Sequence, residues 1–370
     1  MRVLYVNQWS GLGGAEISLL RLFANLPRGQ VQAVLACPPG DLAQRAQRLG
    51  VQVVPIQIPP VRSCRPLRAI DVQSLQQAIA SCDLVHAYSV RAGWYAGRLC
   101  RQLCVPMVWS IHDVFPFAWQ QMWLQVVAQR YAQAVVVYSQ VLARQFGTRL
   151  QHRVHLVPHG VEVEVFAPLG AAQREQVRRR YDTPAHAPVV LHVGRVMPFK
   201  GQHLFLQMAR RLLSRYPAER APVFWLAGDE SVAAPRYARR VRALAEGLTA
   251  HVRWLGFQDE IAPIIASAEV LVHCSTRPEP FGLVVIEAMA CGTAVVSANR
   301  GAPVEILEDG RTGLLTPPQD VRALANAVDY LLTHEQERQA IVSRARRVAC
   351  ERYTLQQHVQ QLVDLYRRLL

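Results

Sequence analysis

Short β-branched apolar runs alternate with stretches of helical periodicity along the whole chain. In the first half the runs predict strands at Val3–Asn7, Val31–Cys37, Val51–Ile56, Leu84–Tyr88, Met107–Ile111, Ala134–Tyr138 and Val154–Val157. Helical patterns fill the gaps at Ala15–Leu26, Leu42–Leu49, Val72–Ala80 and Val90–Leu103. The segment Glu162–Arg174, with Pro168 and Gly170, interrupts the alternation and reads as a linker. The pattern then restarts with strands at Val189–Val193, Val223–Ala227, Val252–Leu255, Val270–His273, Ala294–Ser297 and Gly313–Leu315. Three long helical patterns close the chain: Val321–Leu332, Glu335–Arg347 and Leu355–Leu369. Alternation of this kind predicts parallel sheets assembled from βαβ units. The expected fold class is therefore α/β, with two doubly wound, Rossmann-like parallel-sheet domains facing a cleft. The expected division is an N-terminal domain over residues 1–165 and a C-terminal domain over 166–350.

The composition fits a packed, globular chain. Of 370 residues 51% are hydrophobic and 18% charged, which argues against disorder. No apolar run reaches the roughly 18 residues a membrane span requires, and the first residues, Met1 to Val6, read as a strand rather than a leader. A soluble cytoplasmic protein is expected. The eight cysteines are scattered without a C-x-x-C pair, so reduced and mostly buried thiols are expected rather than a zinc site. The net charge of +14 favours an anionic partner: nucleic acid, anionic lipid or a phosphorylated ligand. Of the 41 basic residues only Lys200 is a lysine.

Ligands of doubly wound sheets sit at strand carboxyl ends beside helix N-termini, and the chemistry-bearing motifs fall in such loops. Glu279-Pro280-Phe281-Gly282-Leu283-Val284-Val285-Ile286-Glu287 sets one carboxylate in a turn and another about one turn inside the following helix. The amides of Phe281, Gly282, Leu283 and Val284 suit a diphosphate, and carboxylates at two depths suit hydroxyls on a sugar and a ribose. Alone the pattern equally describes a solvated loop carboxylate and a helix-dipole partner. A second motif supports the ligand reading: Gly194-Arg195-Val196-Met197-Pro198-Phe199-Lys200-Gly201 follows a strand and offers two cations five residues apart, suited to a diphosphate leaving group. In a chain that otherwise uses arginine, Lys200 points to a place for a compact ammonium.

These motifs, with Gly13-Gly14-Ala15-Glu16, Ser110-Ile111-His112-Asp113, Val157-Pro158-His159-Gly160-Val161, Glu287-Ala288-Met289-Ala290-Cys291-Gly292-Thr293 and Thr312-Gly313-Leu314-Leu315, resemble glycosyltransferase family 4, the retaining GT-B enzymes, over about residues 3–366. The resemblance implies a GT-B fold whose last segment, residues 351–370, crosses back to the N-terminal domain. It implies a glycosyltransferase, specifically a hexosyltransferase, moving a sugar from a nucleotide-sugar donor, UDP-sugar first and GDP-mannose next, to a glycan or lipid-linked acceptor. Arg195 and Lys200 would hold the diphosphate and Glu287 the ribose. Glu279 and the amides of Phe281 and Gly282 would hold the transferred sugar, with the Leu283 and Val284 amides on phosphate. His112 would lie near the reacting centre, and Gly13 and Gly14 in a loop approaching phosphate and acceptor. The implied catalytic set is His112, Arg195, Lys200 and Glu279. Two departures stand out: His159 replaces the usual Asn before Gly160, leaving that strand end uncertain, and Ala294 replaces a common Pro.

The remaining features limit the reading. Glu16 occupies the third glycine's place in Gly11-Leu12-Gly13-Gly14-Ala15-Glu16, and Val31–Cys37 runs into Pro38 without an acid, which argues against nicotinamide binding. No D-x-D occurs, so neither a metal nor a cofactor is expected. Arg62, Arg65 and Arg68, and the aromatics Phe115, Phe117, Trp119 and Trp123, are compatible with an ordinary solvated surface or with an acceptor or lipid-headgroup surface, placing the protein at the inner face of a membrane. The rival functions are a GT-B phosphorylase or a nucleotide-sugar epimerase and, from another class, a basic nucleic-acid-binding protein. The dispersed arginines and missing recognition motif argue against nucleic acid.

Overall fold

The computed structural model describes residues 1–59, 69–230 and 235–370. Arg62, Arg65 and Arg68 lie outside the described residues. The chain forms two compact units, Met1–His159 with Leu355–Leu370, and Gly160–Thr354.

The first unit runs β1 (Arg2–Val6), α1 (Gly14–Asn25), β2 (Gln32–Cys37), α2 (Asp41–Arg48), β3 (Gln52–Pro55), α3 (Ala69–Ala80) and β4 (Leu84–Ala87). It continues with α4 (Val90–Leu103), β5 (Met107–Ile111), α5 (Ala118–Tyr131), β6 (Ala134–Val137), α6 (Gln140–Ala143) and β7 (Val154–Leu156). The strands form one parallel sheet in the order β3-β2-β1-β4-β5-β6-β7. Helices cover both faces, so β4, β5 and β6 are buried at every position, and their sequences are apolar on both faces apart from His86 and Ser110.

The second unit runs α7 (Ala171–Arg180), β8 (Val189–Val193), α8 (Gln202–Leu213), β9 (Val223–Ala227), α9 (Pro235–Ala245), β10 (Val252–Gly256) and α10 (Ala262–Ala266). It continues with β11 (Val270–His273), α11 (Leu283–Cys291), β12 (Ala294–Ala298), α12 (Pro303–Ile306), β13 (Leu314–Thr316), α13 (Val321–Thr333) and α14 (Glu335–Arg352). Its sheet is parallel too, in the order β10-β9-β8-β11-β12-β13. The core lies between this sheet and α8, α9 and α13, around Phe205, Met208, Phe224, Val241, Val272 and Leu331. Glu269, just before β11, is gripped by Arg178 at 2.7 and 2.8 Å and by Arg174 at 2.6 Å, and it accepts the Val189 amide at 2.7 Å. With that many donors its charge is satisfied in a half-buried place.

One expected loop is partly helical. The segment read as a linker ends inside α7, which begins at Ala171; the Gln173 side chain accepts the Gly170 N–H at 3.3 Å and satisfies one of the open amides at the helix start. The change of unit itself comes earlier, between His159 and Gly160.

The last helix, α15 (Leu355–Leu369), belongs to the first unit and packs on α1. Its inner face carries Leu355, His358, Val359, Leu362, Val363, Leu365 and Tyr366, all buried. Tyr366 Oη lies 2.6 Å from His86 Nδ1 and 3.3 Å from Tyr5 Oη, and His358 Nδ1 lies 2.8 Å from the Pro158 carbonyl. A carbonyl only accepts, so that His358 nitrogen donates.

Candidate functional site

In each sheet the strand order reverses at one place, between β1 and β4 in the first unit and between β8 and β11 in the second. There the loops leaving adjacent strands diverge and open a crevice at the carboxyl edge. Arg195 and Lys200 follow β8, Glu279 and Glu287 follow β11, Gly13 and Gly14 follow β1, and His112 follows β5, while His159 stands apart beyond β7.

In the second unit, the chain leaving β8 passes Gly194 and Arg195 and makes one 3-10 turn, Pro198–Lys200, before α8. The buried His192 holds this turn, its Nε2 lying 2.9 Å from the Lys200 carbonyl. Burial lowers the His192 pKa to about 4, so the ring is neutral at pH 7 and donates from Nε2. Gln202 Nε2 donates to the carbonyls of Arg195, at 2.8 Å, and Gly194, at 3.2 Å, closing the loop from its far side. Two hydrogen-bonded side chains thus fix the backbone carrying both cations.

The chain leaving β11 supplies the carboxylate. Lys200 Nζ lies 2.8 Å from Glu279 Oε1, with the side chains 21% and 14% exposed. Ser275 Oγ donates to Glu279 Oε2 at 2.9 Å, and His273 Nε2 is 3.5 Å from the same oxygen. Burial pushes the Glu279 carboxyl upward, but Lys200 and His273 outweigh it and hold the group well below the usual carboxylate range. Glu279 is ionised and tied to the lone lysine. Among the described residues no side chain pairs with the Arg195 guanidinium, leaving that cation open.

Backbone geometry sets the loop. Gly282 caps α11 with φ +97°, a left-handed conformation that costs a residue with a Cβ, and it turns the chain directly from the Glu279 loop into the helix. The first turn then leaves the Leu283 and Val284 amides without intrahelical acceptors, while Val285 already donates to the Gly282 carbonyl at 2.9 Å. Phe281 is buried and packs edge-on against Tyr353, 6.2 Å between ring centroids. Glu287 lies deeper in the same helix, 6% exposed. Beneath the loop, Gly301 (φ +73°) comes so close that a Cβ would sit 2.3 Å from the Glu279 nitrogen, and the Ala302 amide donates to the Glu279 carbonyl at 2.9 Å.

The sequence reading singled out neither His273 nor Ser275 nor Gly301. Each carries a signal in hindsight: His273 ends a strand at the switch point, Ser275 sits four residues before Glu279, and Gly301 follows β12 in Asn299-Arg300-Gly301.

In the first unit, Gly13 is the N-cap of α1 and its carbonyl accepts the Ile17 amide at 2.9 Å. Gly14 opens the helix and is exposed. Glu16, which breaks the dinucleotide pattern, accepts from Asn7 Nδ2 at 3.1 Å and so ties the helix start to the end of β1. His112 follows β5. Its half-buried ring stacks on Tyr138 at 4.6 Å and lies 4.5 Å from Tyr88. Tyr138 Oη donates to Ser110 Oγ at 2.7 Å, and Ser110 Oγ is 2.6 Å from His86 Nε2. Desolvation, then the proximity of His358, lowers the His112 pKa to about 3, leaving a neutral ring at pH 7.

His159, the departure from the family pattern, has a defined place. It stacks on Tyr138 at 3.7 Å with the planes 7° apart, and its Nδ1 lies 2.8 Å from Ser18 Oγ on α1. The residue at which the chain leaves the first unit is thereby bonded to the helix that Gly13 and Gly14 begin.

The structure thus brings Arg195, Lys200, Glu279, Phe281, Gly282, Leu283, Val284 and Glu287 into one unit, and places His112, Gly13 and Gly14 in the other.

Comparison with known proteins gives family matches in both halves of the chain. Residues 12–165 match the family model described as Glycosyltransferase Family 4, and residues 173–348 match Glycosyl transferases group 1. The D-inositol 3-phosphate glycosyltransferase of Corynebacterium urealyticum is 35% identical over 221 residues, covering 59% of this chain and 51% of that protein. The chain thus spans about half the length of that relative. The alpha-maltose-1-phosphate synthase of Mycolicibacterium smegmatis is 28% identical over 326 residues, 81% of this chain and 82% of that protein. Among solved structures, Anabaena HepE in complex with UDP-glucose superposes with a TM-score of 0.88 at 25% identity, covering 100% of both chains.

Proposed function

The chain belongs to the group 1 glycosyl transferases of glycosyltransferase family 4, and on that premise we propose that it transfers a hexose from a nucleoside-diphosphate sugar to an acceptor hydroxyl. Its two parallel sheets are those of the GT-B fold. The observation that carries the reading is the assembly, at the switch point of the second sheet, of Arg195, Lys200, Glu279 and the opening amides of α11.

A departing diphosphate gains negative charge as the glycosidic bond breaks. Stabilising it requires cations and oriented N–H groups already in place, because reorganising them during the reaction would add to the barrier. Arg195, Lys200 and the amides of Leu283 and Val284 are of that kind, and they provide the charge that a divalent metal supplies in other transferases. Glu279 suits the hydroxyls of the transferred sugar, and Glu287 those of the ribose. His112, neutral at the end of β5, suits hydrogen bonding near the reacting carbon. Retention, with a donor phosphate oxygen taking the acceptor's proton, follows the family pattern. UDP-glucose is the favoured donor, because HepE is described in complex with it, with GDP-mannose next. The acceptor is a glycan or a lipid-linked glycan of cell-surface synthesis, a lipid-linked one bringing the enzyme to an anionic membrane surface. Among the described residues, no helix is long and apolar enough to cross a membrane.

The test uses protein stripped of metal and kept in EDTA. UDP should raise the melting temperature more than GDP or ADP, since a ligand at 100 Kd stabilises by about 2.7 kcal/mol. UDP release from UDP-glucose should persist without metal. Activity that vanishes with EDTA and returns with manganese would refute the metal-free chemistry; a larger shift with GDP would move the donor to GDP-mannose.

A further inference from the structure

The first unit carries an apolar surface that its own core does not use. Helix α5 packs inward through Leu124, Val127 and Ala128, and half-buried Trp123 lies against Trp94 of α4, 5.4 Å between ring centroids. Its outer face is also apolar: Trp119 is 58% exposed, Met122 64% and Val126 57%, with Phe117 before the helix at 58%. Trp119, Met122 and Val126 are spaced three and four residues apart, so they form one stripe along two turns. Phe117 stacks on Trp119, 6.4 Å between centroids with planes 10° apart, extending the stripe past the helix start. An ordinary surface helix is polar on its outer face; one apolar on both faces has an unmet partner.

The charge around the stripe selects the partner. Neither α4 nor α5 contains an Asp or Glu, while Arg91, Arg98, Arg101 and Arg130 lie on them. Arg98 sits over the Trp94 ring at 5.1 Å and is exposed, and so are Arg101 and Arg130. By sequence, the segments 1–159 and 355–370 hold 17 basic against 6 acidic residues, a surplus of 11 out of the chain's +14. Two copies of so basic a unit repel one another, which disfavours self-association through this face. A bilayer of anionic lipids fits both features: aromatic and aliphatic side chains enter the headgroup boundary, and arginines meet lipid phosphates.

We propose that the outer face of α5, with Phe117, Trp119, Met122 and Val126 flanked by Arg98, Arg101 and Arg130, docks this protein on an anionic membrane surface. The proposal rests on the lipid-linked acceptor of the preceding section and names the residues that would bring the enzyme to it. Phe115 and Trp123, considered with this surface from the sequence, are only half-exposed, and Met122 and Val126 take their place.

The test is flotation of the whole protein with phosphatidylcholine vesicles containing about 30 mol % phosphatidylglycerol, against vesicles of phosphatidylcholine alone. Wild type should float with the anionic vesicles, at least tenfold more than with neutral ones, and less as salt rises. The triple variant Trp119→Ser/Met122→Ser/Val126→Ser should lose at least tenfold in binding, and Met122→Ser alone should lose part of it. Melting temperature and UDP affinity, read on the same samples, should not change, since all three side chains point outward and the UDP residues lie in the other unit. No flotation by wild type, or undiminished flotation by the triple variant, overturns the proposal. A dimer in light scattering that the triple variant abolishes overturns it in favour of a second copy. Loss of UDP binding with flotation intact would strike the donor assignment alone, so the two readings fail separately.

Discussion

The lone lysine, Lys200, is paired with Glu279 at 2.8 Å. A diphosphate that takes Lys200 must share it with this carboxylate or displace it, so Glu279 should oppose a bare nucleoside diphosphate while favouring an intact donor. Glu279→Gln removes the charge and keeps the shape. A phosphate oxygen bound on the far side of the ammonium would sit about 6 Å from the carboxylate, twice an ordinary hydrogen-bond reach. At an effective dielectric of about 20 to 40, two like charges at that distance repel by about 1–3 kcal/mol. The pair is less than a quarter exposed, so solvent screening leaves most of that term. Glu279→Gln is therefore expected to bind UDP about five- to a hundredfold more tightly than wild type, by titration calorimetry. Its turnover of UDP-glucose should fall tenfold or more, because an amide is a poorer acceptor for sugar hydroxyls. Glu287→Gln should do the opposite to UDP affinity, weakening it about tenfold through loss of a charged acceptor for the ribose. UDP affinity unchanged or lowered in Glu279→Gln would refute the competition. Equal losses in both variants would refute the division of labour between the two carboxylates.

Lys200→Arg should cut kcat/KM at least tenfold, about 1.4 kcal/mol, with the melting temperature unchanged, because a planar guanidinium cannot replace a compact ammonium between Glu279 and a phosphate; near wild-type turnover would show that only charge matters. The first unit should be acid-labile: His86 and His112 have pKa values lowered to about 3, His358 to about 4, and His159 is lowered too, burial being the main cause in each. The unfolded chain takes up these protons near pH 6.5 and the folded one does not, so stability is lost as pH falls, at about 1.4 kcal/mol per histidine per pH unit below about 6.5; a melting temperature that holds from pH 7.5 to 5.5 would contradict it.

The strands of both sheets could be read from apolar runs because a parallel sheet covered on both faces buries every residue of its inner strands, and these runs are short, rich in β-branched residues and bounded by turns, which separates them from buried helices. The residues proposed for the donor side could be singled out for a related reason. Their motifs are local, each a strand end, a glycine turn and a helix start, so spacing alone brings Arg195 near Lys200 and Glu279 near the α11 amides. The ion pair between Lys200 and Glu279 was not legible, since 79 residues separate them and only the order β8-β11 makes their loops neighbours. Gly301 was hidden likewise: what it must avoid is the Glu279 backbone, which arrives from an earlier strand.

His159 shows where reading one position at a time stops working. Against the family pattern it appeared only as a replaced Asn. Its role becomes visible with Tyr138, Ser18 and α15 in place, since the ring fills the space beside Tyr138 and bonds the helix behind Gly14. An imidazole there also lies against His358 of the returning helix, 5.4 Å between ring centroids. Tyr5, His86 and Ser110 carry the same network through to Tyr366. Such a network needs groups drawn from β1, β4 and β5, from the residue after β6, from α1 and from the last helix, and each alone reads as an ordinary polar residue beside an apolar run. The proposed donor-side residues lie in short motifs, whereas the shape of the first unit's loops depends on buried rings up to 361 residues apart. Substitutions at His159 should accordingly act through the position of α1 and the stacking on Tyr138, not through any proton the ring carries, since burial and its neighbouring histidines keep it neutral at pH 7.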